Sequence, residues 1–218
     1  MAASRERARE GARLRISAKS LGRNRQPQIH AVDCELRKAA AASPTIESLG
    51  AGSFRAAIPE LAELLVDAVA SGASVGFLPP LTAAVAERWW RSLTDDVSVG
   101  RMVVLLLRVD GRTLGTAQLR LAELPNARHR AEVAKVLVHT SARRRGYGRM
   151  LMAAIEAAAR NADRHLLVLD TLSGSDAEGL YARLGWTRVA EIPQYAEVPH
   201  GRFAATTVYY KDLKGQNP

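Results

Sequence analysis

The chain has 218 residues, 47% of them hydrophobic and 24% charged, and carries a net charge of +9. That length fits one ordinary domain, with or without a tail, and the apolar fraction suffices for a sizeable core. No stretch reaches the roughly 18 apolar residues of a membrane span, and the single cysteine, Cys34, excludes a disulfide framework within one chain.

Residues 1–45 hold ten Lys/Arg against four acids, so most of the excess charge sits there. The segment mixes Ala, Ser, Arg, Gln and Pro without sustained periodicity. It reads as a basic, disordered tail, with a loose helix near residues 6–15. It lacks the apolar core of a secretory signal; an organelle transit peptide and an early start codon are the other readings of its Arg-rich composition. A lone cysteine suits a reducing cytosol, so the expected location is cytoplasmic. The five histidines (30, 129, 139, 165 and 200) never fall at metal-ligand spacing, and no metal is expected.

From residue 46 to about 214 the pattern becomes that of a folded domain. TIESLG (45–50) suggests a first strand. IPELAELLVDAVASG (58–72) carries a helical apolar stripe closed by Gly72, and LTAAVAERWWRSL (81–93) a second, with Thr82 as its cap. The period then changes to two. RMVVLLLRVD (101–110), an Asp110–Gly111 turn and RTLGTAQLRLAEL (112–124) form a hairpin, and RAEVAKVLVHT (130–140) a third strand. A helix runs to about Asn161, followed by HLLVLDT (165–171), an apolar run of the kind buried on both faces. SDAE (175–178) has capping-box spacing for a short helix ending at Gly185. WTRVAEI (186–192) and FAATTVYYKDL (203–213) close the domain, with IPQYAEVPHG (192–201) as a loop beside the binding pocket. This order predicts an α/β fold: a mixed twisted sheet of about six to seven strands flanked by about four helices, with strands 130–140 and 165–171 parallel neighbours.

SARRRGYGRM (141–150) puts three consecutive arginines, two glycines and a fourth arginine at a strand-to-helix junction. The first N–H groups of a helix are unpaired and partially positive, glycine permits close backbone approach, and arginine stays charged. The stretch is a candidate pyrophosphate cradle, weighed against a tight charged turn. It is not a P-loop, since no Lys-Ser or Lys-Thr follows the glycines. Nor is it a dinucleotide fingerprint, since Leu151 stands where the third glycine belongs.

Arg143-x-x-Gly146-x-Gly148, after an apolar strand and before an amphipathic helix, resembles the acetyl-coenzyme A signature of the GNAT superfamily of N-acetyltransferases. YARLGW (181–186) resembles that superfamily's Tyr-x-x-Leu-Gly-aromatic segment. Longer stretches, AEVAKVLVHTSARRRGYGRMLM and LDTLSGSDAEGLYARLGWTRVAEIPQY, are similar to the family of tabtoxin-resistance acetyltransferases, which acetylate a primary amine of a small amino-acid toxin. Gly174 departs from the wider superfamily, many of whose members have Asn there against the cofactor arm.

The resemblance implies an acetyl-CoA-dependent N-acetyltransferase of a small primary amine, with an amino-acid-like antibiotic or toxin as the acceptor class. The expected cofactor contacts are the backbone of Val136, Leu137 and Val138, then Arg143, Arg144, Arg145, Gly146, Tyr147, Gly148 and Arg149. A protonated amine needs a proton acceptor before it attacks, and the departing thiolate needs a donor. Glu132, on the strand leading to the cradle, and Asp170, at the carboxyl end of the apolar strand, are the candidate acceptors, weighed against plain surface and turn carboxylates. Tyr181 is the candidate acid, since a phenol near pKa 10 stays protonated beside a thiol of roughly 8.5; the alternative is a packing aromatic. Trp89 and Trp90 are candidates to cover the acceptor site, one of them as ordinary core. A protein or peptide acceptor is the second reading within this class, since fold does not set substrate. A nucleic-acid-binding protein working through the basic tail is the rival from another class, disfavoured by the absence of tail aromatics. The expected partners are acetyl-CoA and the amine, in a monomer or homodimer away from membranes.

Overall fold

The computed structural model describes residues 43–215, so the tail expected over residues 1–45 falls almost wholly outside the described residues. Seven strands make one sheet in the order β1-β2-β3-β4-β5-β7-β6. They are β1 (Thr45–Ser48), β2 (Met102–Val109), β3 (Arg112–Leu121), β4 (Arg130–Val138), β5 (Leu166–Leu172), β6 (Thr187–Val198) and β7 (Arg202–Asp212). Every pairing is antiparallel except β4 with β5, the parallel pair expected from the strand–helix–strand crossover.

Among the described residues the α-helices are α1 (Ala51–Ala70), α2 (Ala83–Ser92), α3 (Thr94–Ser98), α4 (Tyr147–Asn161) and α5 (Asp176–Arg183). Their placement explains the unbroken apolar run of β2. Val104 and Leu106 point into a core with α1 and α2, while Leu105 and Leu107 point into a second core with α4. A strand covered on both faces has no solvent side to make polar.

Three elements differ from expectation. Helix α1 begins at Ala51, about two turns before Ile58, and Pro59 lies inside it. Phe54 and Ala57 draw the helix upstream: Phe54 is completely buried, its ring 6.2 Å from that of Trp90. Burying that ring outweighs the single helical hydrogen bond that proline cannot donate. Helix α3 was not anticipated; its one buried side chain, Val97, is too little pattern for a five-residue helix. The loop expected over residues 192–201 is mostly strand, because β6 runs on to Val198 and pairs again with β7 at Ala196↔Ala204. Pro193 is tolerated because β6 is the edge strand, where a missing N–H leaves no neighbour unpaired. The register shift between Ile192 and Ala196 surrounds Gln194, which has φ 52.

The capping signals place α2 and α5 correctly, though by different contacts. The Thr82 side chain accepts from the Val85 N–H. Ser175 precedes α5 without a side-chain cap, and Glu178 reaches back one residue further than a capping box requires, accepting from Gly174 N–H at 2.8 Å.

Candidate active site

The site begins where two strands part. Strand β4 pairs with β5 only at Arg130↔Leu166, Ala131↔Leu167 and Glu132↔Val168. Lys135 then takes φ 48, and the pairing of β4 with β3 shifts register between Thr116 and Gln118. An irregularity of this kind bends a strand locally. Leu137 and Val138 pair with Thr116 and Gly115 on β3, but nothing on β5 pairs with residues 136–138. Along the edge of β4 that faces β5, residues 136–138 therefore have no strand partner, although the Val138 carbonyl accepts from Arg143 Nε.

This gap opens onto the start of α4. Gly146 is its N-cap in the left-handed region (φ 85), a conformation that costs other residues about 1–2 kcal/mol. Gly148 serves packing: a Cβ there would lie 3.2 Å from Leu180 Cδ2 on α5. The two glycines thus let the chain turn sharply into α4 and let α5 approach it closely. No acid sits in the first turn of α4, and no side chain caps it. Its leading N–H groups stay available to an anion.

A cleft of about 1210 Å³ gathers these features. Twelve of the thirteen residues expected to contact the cofactor or to carry acid–base chemistry line it: Glu132, Val136, Leu137, Val138, Arg143, Arg144, Gly146, Tyr147, Gly148, Arg149, Asp170 and Tyr181. Arg145 is exposed and outside the lining. The arginines divide their work. Arg143 ties the loop to the protein, donating from Nη2 to Ser71 Oγ (2.6 Å) and from Nε to the Val138 carbonyl (3.3 Å). Arg144, with φ 64, pairs with Asp176 at 2.7 Å, both side chains well exposed.

Across the cleft stand the candidate acid–base groups. Glu132 lies opposite both Val168 on β5 and Arg120 on β3, and Asp170 is two residues beyond Val168. Arg120, Glu132 and Asp170 consequently share one face of the sheet. Glu132 is 3.9 Å from Arg120, and Asp170 Oδ2 accepts from the buried Thr206 hydroxyl at 2.8 Å. Tyr181 belongs to the opposite face, in the core with Leu167 and Leu169, and the parting of β4 from β5 joins the two sides. Tyr181 is buried, and burial, followed by the charges of Asp170 and Tyr209, pushes its phenol up to about 12. It makes no hydrogen bond to another described residue, so its hydroxyl is held protonated and unspent. Among the described residues no group of three His, Cys, Asp or Glu could hold a metal ion.

Among the polar lining residues not singled out from the sequence are Arg120, Lys135 and Thr206. A lysine inside the apolar run VAKVLV was the one available signal. Tyr195 lines the cleft together with Ala196, so the segment expected to border the pocket does so as a strand. Trp90 is fully buried core, whereas Trp89 packs on Phe77 and under the Lys135 ammonium, 5.0 Å from its ring. Gly174 has φ 76 with open space around an added Cβ, a position that asparagine also tolerates.

The family model described as acetyltransferase (GNAT) family matches residues 67–186. Among solved structures, an acetyltransferase from Salmonella typhimurium, solved with its cofactor acetyl-CoA, is 22% identical with a TM-score of 0.64, covering 80% of this chain and 96% of that one. A ribosomal-protein-alanine N-acetyltransferase from Brucella melitensis is 23% identical with a TM-score of 0.64, covering 78% and 99%. A structure described as a phosphinothricin N-acetyltransferase is 16% identical with a TM-score of 0.63, covering 78% and 99%. At these identities the likeness speaks for the fold.

Proposed function

Since the chain belongs to the acetyltransferase (GNAT) family, we propose that it moves an acetyl group from acetyl-CoA to the primary amine of a small, amino-acid-like molecule, with residues 46–214 as the catalytic unit. Acetyl-CoA supplies the acetyl group activated as a thioester. The observation that carries the reading is the parting of β4 from β5 beside the uncapped start of α4, with carboxylates and a protonated tyrosine on its two sides.

The residues divide the chemistry as follows. The leading N–H groups of α4, with Arg149, Arg144 and Arg143 around them, hold the pyrophosphate. The free backbone edge at residues 136–138 aligns the pantetheine arm, and an amide there polarises the acetyl carbonyl. Glu132 and Asp170 attract the cationic amine and take the proton it must lose before attack. Tyr181 points its hydroxyl at the departing sulfur. With a pKa of about 12 it acts first as a hydrogen-bond donor, because full proton transfer to a thiolate is uphill. The negative charge of Asp170 is part of what holds that pKa up. Once Asp170 has accepted the amine's proton, this contribution disappears and Tyr181 becomes a readier donor, at the stage where the thiolate leaves.

The relatives with this fold are named for both protein and small-molecule acceptors, so the acceptor is argued from the cleft. Similarity to the tabtoxin-resistance family points to the same pair of carboxylates. The test is acetyl-CoA turnover against a panel of free amino acids, amino-acid antibiotics, simple amines and peptides. Glu132→Gln, Asp170→Asn and Tyr181→Phe run beside the wild type. We expect a free small amine as the best acceptor and slower turnover in all three variants. Undiminished turnover in all three removes these roles, and turnover of peptides alone moves the acceptor to proteins.

A further inference from the structure

The face that presents Glu132 and Asp170 also presents two cations. Arg120 lies directly across from Glu132 on β3, and Lys135 follows three residues later on β4; all four side chains belong to the cleft. The cations are poorly satisfied. Arg120 Nε is buried with no hydrogen-bond partner, and the contact of Arg120 with Glu132 is a long 3.9 Å. Lys135 Nζ forms neither a hydrogen bond nor a salt bridge with any described residue. It stands over the Trp89 ring, 5.0 Å from the ring centre. Burial and the neighbouring Arg120 charge lower the Lys135 pKa, while Glu132 and Asp170 only partly oppose them. An ammonium kept in a cleft at this cost, beside a guanidinium with an idle donor, suits an anion that arrives with a ligand.

On that acetyl-transfer reading the pantetheine arm is uncharged, and the phosphates at the nucleotide end of coenzyme A are met on the side of α4. The acceptor is the remaining source. Resting on the acetyl-transfer reading of the same cleft, we infer that Arg120 and Lys135 bind the carboxylate of a zwitterionic acceptor while Glu132 and Asp170 receive its amine. The four charges then sort acceptors by two signs at once. A simple amine leaves Lys135 and Arg120 unpaired, and an amino acid whose carboxyl is blocked does the same. The backbone at Lys135 contributes: its left-handed conformation turns the lysine out of the strand's alternation and onto Trp89, whose ring holds the ammonium in place.

The test pairs each carboxylate-bearing amine of the panel with its own carboxamide under saturating acetyl-CoA, and measures acetyl-CoA binding separately by calorimetry. The wild type should favour the carboxylate forms in kcat/KM by about 10-fold to 100-fold, the size of a lost charge-assisted contact. Lys135→Gln and Arg120→Gln should each pull that ratio towards one, mainly through KM, and Lys135→Arg should keep it. Thermal melting accompanies each variant, and if Lys135→Gln fails to fold, Arg120→Gln and Lys135→Arg decide. Equal use of acid and amide by the wild type overturns the inference. So does a ratio that survives Lys135→Gln and Arg120→Gln. Acetyl-CoA binding without turnover of any carboxylate-bearing amine also overturns it and leaves the cofactor site standing. A protein that binds no acetyl-CoA overturns the acetyl-transfer reading itself.

Discussion

The two walls of the cleft are built in different ways. The wall at the start of α4 is made mostly of backbone: a left-handed Gly146, the free first turn of the helix and the unpaired edge of β4. Two of its arginines also make contacts within the protein, Arg143 with Ser71 and Arg144 with Asp176. The opposite wall is made of side chains, with Arg120, Glu132, Lys135 and Asp170 contributed by three strands and Tyr181 by a helix on the other face. A backbone wall tolerates side-chain replacement and fails when the chain path changes. A side-chain wall behaves in the opposite way.

Substitutions can break this contrast or sharpen it. The largest effect should come from Asp170→Asn, which removes a proposed proton acceptor. Turnover should fall by about 100-fold or more, within the usual range for general acid–base groups, while calorimetry shows acetyl-CoA affinity unchanged. Tyr181→Phe should lower kcat by a smaller factor, because the role proposed for Tyr181 is first that of a hydrogen-bond donor. If either variant instead lost acetyl-CoA binding, the two walls would not be separable.

On the backbone wall, Gly146→Val should weaken acetyl-CoA binding and lower stability by about 1–2 kcal/mol, the cost of a side chain in the left-handed region. Thermal melting and calorimetry read both effects. Normal binding by this variant would show that the turn into α4 is not what holds the nucleotide.

Tyr181 also gives a pH signature. Its folded pKa of about 12 lies above the unfolded value near 10. The unfolded chain therefore loses this proton first as pH rises. The contribution to stability is fully present below pH 10 and is lost as pH climbs through about 12, amounting to about 2–3 kcal/mol. Denaturant unfolding of the wild type should weaken over that window more than that of Tyr181→Phe. Parallel curves would show that the phenol is not shielded from water.

The smallest effect should come from Arg144→Ala. It breaks an ion pair whose two side chains are more than four-fifths exposed, so the melting temperature should not move measurably. Acetyl-CoA affinity should fall slightly, and by less at high salt.

Legibility in the sequence followed the same division. Gly146, Gly148 and the arginines around them formed a contiguous signal, because a backbone cradle is built from neighbours in the chain. The parallel pairing of β4 with β5 followed from the helix between them, although only three residue pairs are made before the strands part. Glu132 and Asp170 became candidates through their places on the strands together with resemblance to a known family, and Tyr181 through its motif position. Arg120 and Thr206 were missed, because nothing in QLRL or AATT marks a residue whose partner lies on another strand. In the fold, Pro193 read as the start of a loop, yet an edge strand accommodates it, and edge position is a property of the assembled sheet.

What the sequence determined by itself were the local facts: which segments alternate, where helices are capped, and where glycine lets the chain turn into α4. These depend on residues a few positions apart, whose interactions are fixed by backbone geometry. What only the tertiary structure decided was which charges meet. Arg120 and Glu132 are twelve residues apart, and Asp170 lies thirty-eight beyond Glu132, yet strand register sets all three on one face. The rise in the Tyr181 pKa was decided in the same way, because burial and the nearby charge of Asp170 push it up.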